Sequence, residues 1–116
     1  MNENEVVDYF PPTRVWNDRM FLYNKNDANQ LWEILLSKYI GLLGVEGFRI
    51  IGHQIQPDMD FIADCSWSFL NKPQEFVSLS ISLVRSVLAE APEDMFFEFV
   101  VQTTMLQSEV RKEFNP

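Results

Sequence analysis

Apolar positions along this chain follow two different periods. From residue 28 to 43, Ala28, Leu31, Trp32, Leu35, Leu36, Tyr39, Ile40 and Leu43 recur at spacings of three and four, with Glu33, Ser37 and Gly41 on the other side. That spacing predicts an amphipathic helix. Asp27 and Gln30 stand in the relation of a capping box, and Gly44 follows as the expected stop. A second helix is predicted over 73–90, where Val77, Ile81, Val84 and Leu88 form one stripe with Leu83 and Val87 beside it. Ser78, Ser82 and Arg85 take the opposite side, with only Leu79 misplaced; Asn71 suits the cap, Pro73 the first turn, and Pro92 lies beyond the end.

Period two marks the strands. Phe61, Ala63, Cys65, Trp67 and Phe69 alternate with Ile62, Asp64, Ser66, Ser68 and Leu70, which predicts one strand through residue 70. Its hairpin partner opens at Gly47 and runs through Phe48, Ile50, Ile51 and Ile55, with the turn expected at Gln56-Pro57-Asp58-Met59-Asp60. Phe, Val and Thr content predicts further strands at about 19–24 and over 95–104, the latter with Phe97, Phe99 and Val101 inward and Glu98 and Gln102 outward. Residues 106–114 suit a short terminal helix with Leu106, Val110 and Phe114 as its contacts. Residues 1–13 read as an N-terminal arm, stiffened by Pro11-Pro12 and pinned by Tyr9 and Phe10, ahead of a single domain over 14–116.

The order strand–helix–strand–strand–helix–strand is that of a ferredoxin-like split βαβ fold of the α+β class, two helices covering one face of an antiparallel sheet. Two surfaces follow from it. The connections at 24–27, 56–60 and 91–94 are expected at one end of the sheet, which gathers Asp27, Asp58, Asp60, Glu90, Glu93 and Asp94 against Lys25 as a candidate contact for a basic partner. The helix-free face is expected to carry Ile62, Leu70, Phe96 and Val100. Either terminal segment, a second copy or a partner is expected to cover it.

Composition narrows the kind of partner. The chain has 116 residues with 17 Asp+Glu against 9 Lys+Arg, a formal charge of −8, while 47% apolar content supports a packed core. Net acidity argues against nucleic acid and anionic lipid surfaces, both of which select Lys and Arg. No uncharged apolar run approaches the ~18–20 residues of a membrane span. The acidic Met1-Asn2-Glu3-Asn4-Glu5 start is unlike a signal peptide, and one cysteine, Cys65, makes no intrachain disulfide. Together these features predict a cytoplasmic protein.

Candidate chemistry is sparse. His53 is the single histidine and alternates with Ile51 and Ile55, which reads as a packed or rim position. With Cys65 alone it makes no zinc site. Asp58, Asp60 and Asp64 approach calcium-loop spacing but lack the central Gly and the closing Glu. Cys65, between Ala63 and Trp67, reads as a buried inert thiol. Trp16, Trp32 and Trp67 lack a basic groove and read as core residues. No catalytic residue, cofactor or metal is therefore expected.

These features favour a small acidic, non-enzymatic protein that neutralises a basic partner, most concretely an immunity protein or antitoxin against a nuclease toxin. Small size, low pI and an expected dimer also resemble the type III secretion chaperones, whose strand–helix order differs from this one; that resemblance implies binding of an effector segment. A dimeric α+β barrel enzyme with a pocket near His53 and Trp67 is the third reading, distinguished by a deep cavity at His53.

Overall fold

The computed structural model describes residues 3–102. Its elements are α1 (Glu3–Tyr9), β1 (Arg14–Trp16), β2 (Met20–Asn24), α2 (Lys25–Ser37), β3 (Leu42–Ile51), β4 (Gln54–Asp64), α3 (Ser66–Asn71), α4 (Phe76–Glu90) and β5 (Phe96–Val101). The five strands form one sheet in the order β1-β2-β5-β3-β4, with every neighbouring pair antiparallel. From β2 onward the order of the main strands and helices is that of the ferredoxin-like arrangement, and β5 inserts between β2 and β3. The fold is α+β, with its helices packed on the sheet.

Both long helices follow the predicted stripes. Ala28, Leu31 and Leu35 of α2 and Val77, Ile81, Val84 and Leu88 of α4 are buried. They form one core with Tyr23, Val45, Phe97, Phe99 and Val101 of the sheet. Leu83 faces solvent. The ends of α2 differ from expectation. Its cap is Asn24, whose Oδ1 accepts the Asp27 amide at 2.8 Å, so the helix starts before Asp27. It stops at Ser37 rather than at Gly44. Tyr39 turns left-handed (φ 56°), and its amide and that of Ile40 close on Leu36 and Leu35. Gly44 lies instead in β3, where a Cβ would stand 2.9 Å from the Ala63 carbonyl oxygen.

The β3–β4 turn is also displaced. It falls at Gly52-His53, where Gly52 takes φ 61°, and 56–60 is strand. Pro57 is tolerated because β4 is an edge strand with one neighbour. The β3–β4 register jumps from Glu46–Ile62 to Gly47–Asp58, leaving Met59, Asp60 and Phe61 bulged out. The strand predicted through Leu70 ends at Asp64. There the carboxylate accepts both the amide and the hydroxyl of Ser66, and α3 begins. Cys65 and Phe69 are spaced by four, so their burial suits a helix as well as a strand.

The N-terminal segment is helical rather than an extended arm, although it does dock by its aromatic end. Val6 joins the core, the Phe10 ring stacks on Tyr23 at 5.9 Å, and the Tyr23 hydroxyl donates to the Phe10 carbonyl at 2.8 Å. β1 was not foreseen. It pairs with β2 through a loop in which Asn17 and Asp18 adopt φ 49° and 57°, a conformation these two residue types tolerate best after glycine. The helix expected at 106–114 lies outside the described residues. Among the described residues no helix is long and apolar enough to cross a membrane.

Candidate functional site

One end of the sheet is built where β2 hands over to α2 and α4 hands over to β5. Asn24 and Phe96 are register partners, so the two connections adjoin. Asp27 lies in the first turn of α2, Glu90 closes α4, and Glu93 and Asp94 lie between α4 and β5; the last three are exposed. Lys25 is turned inward. Its side chain is 17% exposed and its Nζ donates to the Ala91 carbonyl at 2.8 Å, with Glu93 Oε1 at 3.4 Å. Asp27 accepts the Thr13 hydroxyl at 2.5 Å, and that hydroxyl accepts the Asn24 amide at 3.0 Å.

Asp58 and Asp60 do not join this group. They belong to edge strand β4, because the turn expected around them is at Gly52-His53. Asp58 opposes Gly47, Gly47 opposes Phe97, and Phe97 opposes Tyr23, so Asp58 is level with the end of β2 but three strands away. At ~4.8 Å per strand that separation is about 14 Å. Asp58 is also occupied. Its oxygens accept Arg49 Nε at 3.2 Å and the Asp60 amide at 3.0 Å. The structure thus gathers Asp27, Glu90, Glu93 and Asp94 and leaves Asp58 and Asp60 apart.

The helix-free face is richer than the sequence suggested. Residues opposed in register share a face, and Phe97, Val45 and Tyr23 face the core. The other face therefore carries Phe96, Glu98 and Val100 of β5, Glu46 and Phe48 of β3, Ile62 of β4, and Met20 and Leu22 of β2, with Trp16 of β1 opposite Met20. Leu70 is not among them; it sits on α3 and is exposed. A groove of about 340 Å³ opens on this face, with Gly44, Glu46, Ile62, Asp64, Glu98 and Val100 in its lining. Glu46 stands directly opposite Glu98. The hydrogen bonds from Ser66 hold Asp64 below the ordinary carboxylate range. The alternation of Phe96, Glu98 and Val100 was readable from the chain, whereas the partners on β2 and β3 depend on a register it does not print.

His53 is an exposed turn residue, and Trp67 is exposed on α3, so neither lines a deep pocket or fills the core. Trp32 is partly buried, its indole capped by Arg85 at 4.7 Å and donating to Asn29 at 2.9 Å. Among the described residues no group of His, Cys, Asp and Glu is arranged to hold a metal ion.

The chain matches no protein-family model, no curated protein and no solved structure.

Proposed function

We propose that this chain is a small acidic binding protein of the cytoplasm that neutralises a basic protein partner, in the manner of an immunity protein or antitoxin against a nuclease toxin. The contact is the end of the sheet carrying Asp27, Glu90, Glu93 and Asp94. The observation that carries this reading is the fate of Lys25, the cation of these connections. It is largely buried, donates to a backbone carbonyl and pairs, among the described residues, with Glu93, so Glu90 and Asp94 face solvent with little compensation. A partner with a cationic active site gains attraction from such a surface before contact and loses access to that site after it. The buried free thiol of Cys65 suits a reducing compartment.

The test is association kinetics with a purified basic nuclease domain encoded next to this chain. Replacing Glu90, Glu93 and Asp94 together by Lys is expected to slow association by roughly tenfold at low salt, with the difference shrinking as salt rises. Equal rates for the native chain and the triple variant at low salt would sink the proposal.

A further inference from the structure

The β3–β4 hairpin outgrows its sheet. β3 pairs with β5 as far as Phe48–Phe96, and β2 ends level with that point, Asn24 opposing Phe96. Beyond it Arg49–Gln56, Ile50–Ile55 and Ile51–Gln54 pair only with each other among the described residues. Three further pairs carry the hairpin about 10 Å past the neighbouring strands at ~3.4 Å per residue. The reversal takes two residues, Gly52 and His53, with Gly52 at φ 61°, so the arm ends in a tight turn rather than a loose loop.

This arm rises from the acidic end. β3 is the neighbour of β5, and the connection that carries Glu93 and Asp94 enters β5 beside it. Met95 fixes the contact. A Cβ on Gly47 would stand 2.7 Å from Met95 Sδ, so the connection lies against the base of the arm on the helix side. Alternation from Gly47 puts Arg49 and Ile51 on that same side, further out than the connection. Arg49 is held by Asp58 at 3.2 Å, and no acid occurs between Glu46 and Asp58. Ile50 and Ile55 oppose each other across the arm and are partly buried, whereas Ile51 is 58% exposed. An apolar, acid-free tip thus stands beside a patch of carboxylates.

We propose that the hairpin arm is the apolar half of the partner site, with Ile51 entering a recess beside the cationic cleft of the basic protein that the carboxylates attract. The inference rests on the reading of the acidic end as the contact for such a protein. The two halves act at different stages. Carboxylates at a rim work through long-range attraction, which sets the rate of encounter. An apolar side chain works only after contact, where exclusion of water sets how long the complex lasts. A paired, tightly closed arm has little freedom to lose on docking, which suits it to the second role.

Dissociation kinetics separate the halves. The full chain is measured against the purified basic nuclease domain encoded next to it, as the native protein, Ile51→Thr, Val15→Thr and Glu90→Lys/Glu93→Lys/Asp94→Lys. Threonine keeps the β-branch, so the arm still forms. Val15, 46% exposed on the far edge strand β1, is the matched control. Ile51→Thr is expected to dissociate roughly tenfold faster at low and high salt alike, with association within about twofold of native. Val15→Thr is expected to leave both rates within about twofold of native. A native dissociation rate for Ile51→Thr, with the triple variant still slow to associate, overturns the arm and leaves the acidic end standing. Equal acceleration by Ile51→Thr and Val15→Thr overturns it as well. If the native chain does not bind, or binds no faster than the triple variant at low salt, the reading of the acidic end fails and the arm's role falls with it.

Discussion

Lys25 Nζ lies 2.8 Å from the carbonyl oxygen of Ala91, tying the first residue of α2 to the cap of α4 across 66 positions of chain. A cation at the start of a helix opposes that helix's own dipole. The geometry offsets this cost by turning the ammonium toward the carbonyl end of another helix, where positive charge is favourable and the last carbonyls have no helical partner.

Lys25→Met, which keeps much of the aliphatic stem, is therefore expected to destabilise the fold by about 1–2 kcal/mol, since it leaves the Ala91 carbonyl without its charged donor. Glu93→Gln is expected to change stability by less than about 0.5 kcal/mol, because the Glu93 side chain is 90% exposed and its ion pair is screened by water. Urea midpoints of the two variants check the contrast. Equal losses would mean that the ion pair, not the carbonyl contact, holds this junction.

A second tie crosses the core. Ser80 is 1% exposed, and its hydroxyl donates to the Val77 carbonyl and accepts the Leu42 amide, each at 3.1 Å. Leu42 is the first residue of β3, so this hydroxyl satisfies a buried amide at the strand's start. Ser80→Ala is expected to cost about 1–3 kcal/mol, the range for a buried group deprived of its partner. Ser78→Ala, which removes an exposed hydroxyl bonded only within its own helix, is expected to stay within about 0.5 kcal/mol. Thermal unfolding of both variants distinguishes the roles.

Those two contacts also show where sequence reading reaches its limit. Ala28, Leu31 and Leu35, and likewise Val77, Ile81, Val84 and Leu88, were legible because burial on one side of a helix imposes its period on the chain. Ser80 was not, since its partner amide lies 38 positions away. Pro57-Asp58 carry strong turn chemistry, yet Gly52 makes the actual reversal through its left-handed backbone. That displacement moved Asp58 and Asp60 onto an edge strand, so the acidic end holds four of the six expected carboxylates. Leu70 left the sheet for a similar reason: alternation through Phe69 does not reveal that the strand ends at Asp64, whose carboxylate accepts the Ser66 amide where a new helix begins.

The same junction bears on Cys65, which is buried directly after Asp64. Burial, and secondarily the Asp64 charge, raise its thiol pKa above the ordinary 9.0. In the unfolded chain the thiol ionises near its ordinary value, while the folded chain holds the proton longer. Above that pH the unfolded state therefore binds fewer protons than the native state, and stability falls as pH rises through the folded pKa. Below it the thiol is protonated in both states and adds no pH dependence. Cys65→Ala is expected to show a shallower loss of stability than the native chain as pH rises above 9.0. Parallel profiles would show that the folded thiol ionises as freely as the unfolded one. Alkylation by iodoacetamide at neutral pH is the companion measurement, expected to be slow in the native chain and fast in urea.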